Sequence, residues 1–435
     1  MKKLIETIKN IWKIEELRSR ILTTLGFLLI YRLGSFVALP GIDPQQLDAL
    51  QNQTADGLLG LLNMFTGGAF SQASIMALGI MPYISASIVI QLMTMAVPYL
   101  QKLQKDGESG RTKISQITRY LTVVITCFQA PGYIANLKAT LPPEAFLLSS
   151  GSFWFSSIII LVTGTLFAMW LGEKITDRGI GNGISLLIMV GIIAVLPQAF
   201  LFEVGRANPL VILVELLILL VVIFASVLLV QGVRRIPIQY AKRGATAQAS
   251  AARQYLPLKV NASGVMPIIF AQAIMFIPIT FAGLSESESV QNFVTTFSDF
   301  SGFWYNFAFA LLIILFTYFY TAITVNTNQM ADDLKRNGGF VPGVKPGKDT
   351  ATFLDGVMSR IVLPGSVFLA VIAILPAFAM NAGINQSFSQ FFGGTSLLIM
   401  VGVVLDTLQQ IEGYLLNRHY DGLMKSGRLT GRSGM

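Results

Sequence analysis

The stretch ADGLLGLLNMFTGGAFSQASIMALGIMPYISASIVIQL, residues 55–92, decides how this chain folds. Its first apolar run, Ala55 to Phe65, breaks at Gly67-Gly68, and a second run from Ala73 to Leu92 carries Gly79 and Pro82 inside it. About twelve residues at ~1.5 Å each reach ~18 Å, short of the ~30 Å of hydrocarbon in a bilayer. The second run is long enough to cross. Two readings are open at this point. In one, a half-helix precedes a full span and folds backbone into a cavity, because unpaired N–H and C=O groups cannot face lipid. In the other, a single helix kinks at its glycines and proline, and the residues alone favour that kink.

Composition sets the solvent. Of 435 residues, 53% are hydrophobic and only 12% charged, about half the charged share of a soluble domain. Long apolar runs place the chain among helical membrane proteins. Ten spans are expected, near 21–39, 73–97, 116–136, 153–172, 182–202, 209–231, 263–283, 303–325, 360–380 and 394–416. Residues 1–20 carry Leu4, Ile5, Ile8, Ile11 and Trp12 at helical spacing and no small-residue cleavage site. They read as a cytoplasmic amphipathic helix on the membrane surface, not as a signal peptide.

Charge gives the orientation. If the spans alternate, 28 of the 31 Lys and Arg fall on one side, leaving only Arg32, Lys138 and Arg206. The positive-inside rule places that side, with both termini and the tail 417–435, in the cytoplasm. A break around Arg206-Ala207-Asn208-Pro209 divides the chain into halves, 21–205 and 206–416. Five spans in each half imply opposite insertion. Two cytoplasmic loops are long, 232–260 with an alternation that suggests a hairpin, and 326–360 with a helix-like start and the tip GGFVPGVKPG. Loops of that length are usually functional.

Catalytic chemistry is sparse. The chain lacks HExxH, GxSxG and GxxxxGK[ST] motifs, and Cys127 and His419 are each the sole residue of their kind. No enzyme, cofactor, metal or catalytic residue is expected. Charges inside spans are functional suspects because burying them costs a few kcal/mol or more. Arg32, Glu215 and Asp406 are such charges, with no partner visible in the sequence. They admit an ion-coupled secondary transporter of a small solute, working through Glu215 or Asp406, or a silent scaffold. The thin polar midplane favours a passive pore.

Several stretches resemble the SecY/Sec61-alpha family in its bacterial branch. They are LNMFTGGAFSQASIMALGIMPYISASIVIQL (61–92), MWLGEKITDRGIGNGISLLI (169–188), RRIPIQYAKR (234–243), LPLKVNASGVMPIIFA (256–271), ADDLKRNGGFVPGVKPG (331–347) and GGTSLLI (393–399). They occur in family order along nearly the whole chain. The resemblance implies an all-α membrane fold of ten transmembrane helices in two inverted five-helix halves, with a re-entrant plug half-helix at 55–70. It reverses the preference for a kink.

The resemblance also implies a protein-conducting channel that passes unfolded polypeptide across, and laterally into, the bacterial cytoplasmic membrane. The constriction carries over to Ile80, Ile84, Ile184, Ile188, Ile269 and Ile399. The first four form two i, i+4 pairs, each on one helix face. Asn63 would anchor the plug, with Gly67 and Gly68 as its hinge. Gln91 and Asn261 would be the polar pair of the lateral gate. Arg234, Arg235 and Lys345 would dock an ATPase motor or ribosome, the arginines meeting ribosomal RNA phosphates. Lys345 stands where the family usually has arginine and lacks its bidentate fork. The implied partners are SecE-like and SecG-like membrane subunits, a SecA-like ATPase, the ribosome, secretory and membrane-protein precursors, and the lipid bilayer.

Overall fold

A computed structural model describes residues 12, 14–47, 50–51, 57–240, 254–282 and 301–426. Most of the expected surface helix 1–20 lies outside them, as do Ala55, Asp56, residues 241–253, the acids Glu286, Glu288 and Asp299, and the tail from 427. In chain order the elements are α1 (Glu15–Ser35), α2 (Gly57–Phe65), α3 (Met81–Ala96), α4 (Pro98–Lys105), α5 (Gly107–Thr140), α6 (Ser150–Arg178), α7 (Gly183–Arg206) and α8 (Pro209–Gln231). Next come β1 (Val233–Tyr240), β2 (Gln254–Lys259), α9 (Met266–Ala282), α10 (Phe303–Thr324), α11 (Thr327–Arg336), β3 (Gly339–Phe340), α12 (Lys348–Asn381), α13 (Gln386–Ser389) and α14 (Gly394–Ser426).

Nine of the ten expected spans correspond to a helix, α1, α5 to α10, α12 and α14, and α3 occupies the later part of the remaining one, 73–97. Among the described residues six are long and apolar enough to cross a membrane, namely α6, α7, α8, the run from α10 through α11, α12 and α14 to Leu415. The helices α3 and α4 qualify only together, as a pair bent by 102°. Residues 73–97 are not one span. Residues 66–80 form turns, and α3 begins at Met81 with Pro82 in its first turn, where proline's missing N–H costs nothing. The kinked-helix reading is therefore wrong. The helix α2 stops at Phe65, and the segment after it is hydrogen-bonded loop, not bent helix.

The chain forms two compact units, one running to Gln198 and resuming at Val403, the other Ala199–Gly402. In the first unit the loop 66–80 is stitched to residues 36–39. The Leu39 N–H donates to Ala73 O at 2.8 Å and the Ile75 N–H to Val37 O at 2.9 Å. Phe70 enters a core with Leu39, Leu137, Phe153 and Leu161, and the Tyr133 hydroxyl donates to the Phe70 carbonyl at 2.8 Å. A Cβ on Gly164 of α6 would lie 2.0 Å from the Ile75 carbonyl oxygen, so helix and loop meet backbone to backbone. Irregular backbone at membrane depth is tolerated in such protein-lined surroundings. Thr118, Thr122 and Thr126 are buried along α5, and each hydroxyl donates to the carbonyl four residues earlier, so none is left unpaired.

In the second unit the strands form an antiparallel sheet of order β2-β1-β3, with Val233 opposite Lys259 and Tyr240 opposite Gly339. The hairpin reading of 232–260 is correct, and the tip of the second loop adds a third strand. Ile236 and Leu258 pack with Val341, Leu354, Met358 and Val362, so the sheet sits on the first turns of α12. That helix starts at Lys348, twelve residues before the expected span, so the end of the 326–360 loop is helical.

Candidate functional site

The half-helix α2 ends in a glycine cap. The Gly68 N–H donates to Asn63 O at 2.8 Å and the Gly67 N–H to Met64 O at 3.1 Å, the two bonds of a Schellman motif. That motif requires a left-handed residue after the helix, and Gly67 supplies it with φ +67°. Asn63 serves the same turn through its side chain, whose Oδ1 accepts from the Ser71 N–H at 3.0 Å.

This helix end sits where the proposed constriction residues of the first unit begin. A Cβ on Gly191 of α7 would lie 2.7 Å from Phe65 O and 3.1 Å from Gly67 N. Ile184, Ile188 and Gly191 are spaced i, i+4, i+7 and share one face of α7. On the other side, a Cβ on Gly79 would lie 3.1 Å from Thr66 Cγ2, and Ile80, the N-cap of α3, comes directly after it. The Ile84 N–H donates to Ile80 O at 3.1 Å, which keeps that pair on one helical face although Ile80 precedes the helix. Ile80 and Ile188 are buried and Ile84 and Ile184 half-buried. Ile269 and Ile399 belong to the second unit, near the starts of α9 and α14. Every one of these isoleucines lies within the first six residues of its helix or at its N-cap. Each of the four helices is entered through a left-handed glycine: Gly79, Gly181, Gly264 or Gly394.

Two of the three charges without a partner in the sequence acquire one. Arg32 Nη1 donates to Gly67 O at 2.7 Å, and its guanidinium lies 5.0 Å from the Phe36 ring centroid. Asp406 Oδ2 accepts from Gln410 Nε2 at 3.3 Å, and Gln410 Oε1 accepts from the Gly181 N–H at 2.9 Å. The Thr24 hydroxyl accepts from the Ile180 N–H at 3.0 Å, so α1 and α14 both grip the turn that launches α7. Glu215 differs. It is buried, its Oε2 has no hydrogen-bond partner among the described residues, and Glu203 lies within electrostatic reach. Glu203 is also buried, and its Oε2 accepts from the Asn385 N–H at 2.9 Å.

The gate candidates are in different units. Gln91 Oε1 on α3 is buried with no hydrogen-bond partner among the described residues. Asn261 is buried in the loop before α9, and its Oδ1 accepts from the Ser263 hydroxyl at 3.2 Å. Arg234 and Arg235 are exposed on β1. Lys345 is exposed on the second loop, where the Thr350 hydroxyl holds its carbonyl at 2.8 Å. The roles of Arg32 and Gln410 at these turns have no sequence signal, because their partners lie 35 and 229 positions away along the chain. Gly191 is equally silent, since only the fold brings the end of α2 against it.

A family model described as SecY matches residues 74–408. The protein translocase subunit SecY of Escherichia coli (strain K12) is 42% identical over 426 residues, covering 96% of each chain. Among solved structures, one of a SecY protein, described as showing that its plug domain stabilises the closed state of the translocation channel, superposes with a TM-score of 0.59. It is 16% identical and covers 92% of each chain. Sec61 in the canine ribosome-channel complex gives a TM-score of 0.57 at 16% identity, covering 92% of this chain and 93% of that one. At such identity the two structures establish the likeness of fold.

Proposed function

The chain belongs to the SecY family, and from that premise we propose that it is the central subunit of a protein-conducting channel in the bacterial cytoplasmic membrane. Unfolded polypeptide passes across the membrane through it, and apolar segments leave sideways into lipid. The observation that supports this reading is the seating of α2, whose capped end rests on Gly191, three residues after Ile188, and against Gly79, the residue before Ile80, where the proposed constriction starts. Seal and constriction are then neighbours, as a closed channel requires. Family membership lends nothing to the ion-coupled transporter, and Asp406 already orients Gln410.

Six β-branched hydrocarbon side chains offer ions and water no hydrogen bonds, so their ring closes by dewetting. They also yield around a passing chain without selecting a sequence. Gln91 and Asn261 hold the lateral gate, with bonds of ~1–2 kcal/mol at most, weak enough to release. Energy comes from a bound SecA-like ATPase or a translating ribosome, which dock on Arg234, Arg235 and Lys345. SecE-like and SecG-like subunits complete the membrane complex. Both termini are cytoplasmic. The test is reconstitution with SecE-like and SecA-like partners and a protease-protection assay on a secretory precursor. ATP-dependent protection is expected; its absence from a correctly assembled complex overturns the reading.

A further inference from the structure

Arg32 sits in the last turn of an apolar helix, half-buried, and its guanidinium reaches one atom of α2's cap. That atom is the carbonyl oxygen of Gly67, 2.7 Å from Nη1. The Schellman bonds satisfy the carbonyls of Asn63 and Met64 but leave the one at Gly67 free for an outside donor. A helix C-terminus carries about half a negative charge, which a nearby cation stabilises. Arg32 therefore supplies both a charge for the dipole and a charge-assisted hydrogen bond for the cap. Gly67 is fixed here from two sides. A Cβ on it would lie 2.6 Å from Arg32 Nη1 and 2.9 Å from Gly191 Cα.

We propose that Arg32 is the positioning residue that holds the half-helix seated, with α1 gripping the carbonyl side of the Gly67 turn while α7 backs it. The proposal rests on the reading of α2 as a movable plug. Unseating α2 then means breaking a charge-assisted hydrogen bond between a half-buried cation and the end of a helix. The hinge glycines permit the movement and Arg32 resists it. This assigns a task to a charge that would otherwise be costly at that depth.

The experiment measures resting ion conductance of the full chain, reconstituted with its SecE-like subunit in planar bilayers without motor or precursor. Arg32→Met is expected to raise it roughly tenfold, equivalent to about 1.4 kcal/mol. Arg32→Lys, which keeps the charge and loses the fork, falls between Met and wild type. In an export assay, Arg32→Met should also raise transport of a precursor with a shortened apolar signal relative to one with a full signal. A merely structural arginine moves that ratio nowhere and lowers export of both. Wild-type conductance in Arg32→Met, or equal loss of both exports, overturns the assignment. Deleting residues 57–65 separates the two readings. If the deletion leaks and Arg32→Met does not, only the role of Arg32 falls; if neither leaks, the plug falls with it.

Discussion

Ile84 and Ile399 carry the dewetting argument in its smallest form. Replacing either by asparagine removes hydrocarbon and adds an amide that water will hydrate. If the ring is the resting barrier, Ile84→Asn and Ile399→Asn each raise resting conductance by roughly tenfold, about 1.4 kcal/mol. Single-channel recording checks this, and unchanged conductance in both variants removes the ring. Glu215 allows a test of the opposite kind, because its Oε2 is buried without a partner among the described residues, with a second buried carboxylate within electrostatic reach. Glu215→Gln keeps the shape and removes the repulsion. It should stabilise the purified protein by about 1 kcal/mol, seen as a higher melting temperature. A lower melting temperature would mean that the charge has a partner in the working complex.

At the scale of elements, legibility in the sequence depends on range. Helices with long apolar runs, such as α6, α7 and α8, emerge from hydropathy, since it reports burial in lipid and little else. The second half of the loop 66–80, from Ala73 to Ile80, is also apolar, yet it is no helix. Its N–H and C=O groups pair with Val37, Leu39 and one another, and only the fold supplies those partners. Hydropathy cannot separate helix from satisfied loop, which is why the residues alone favour a kink and only the family resemblance points to a half-helix. The proposed constriction isoleucines are suggested only by that resemblance. The turn that launches α7 shows the same limit, for Thr24 and Gln410 come from opposite ends of the chain to accept the N–H groups of Ile180 and Gly181. Thr24→Val keeps the shape and orphans the Ile180 N–H, a cost of about 1–3 kcal/mol. Thermal unfolding of the purified complex measures it, and a shift within error of zero would show that the turn does not depend on α1.

At the scale of the whole molecule, the proposed channel divides its work between an apolar constriction and a basic face. The proposed isoleucine ring offers a moving polypeptide hydrocarbon and nothing that hydrogen-bonds it. If the ten spans alternate as the sequence implies, that face gathers 28 of the 31 Lys and Arg, and it is the side proposed to recruit what drives transport. Within it the sheet β2-β1-β3 packs on the first turns of α12, so Arg234 and Arg235 on β1 and the loop that carries Lys345 are tied to that helix. Long-range attraction for ribosomal phosphate is additive over many charges, so one lysine contributes a small share of it. A motor docked on the loop tip, as proposed, would depend on that one position far more. Lys345→Glu should therefore lower SecA-like, ATP-driven export several-fold while ribosome-coupled insertion of a membrane protein falls by less than half. Side-by-side assays on one preparation of membranes decide it. Equal losses would assign Lys345 to the shared electrostatic field, and full motor activity in Lys345→Arg would show that the motor's site accepts the guanidinium fork as well as the ammonium.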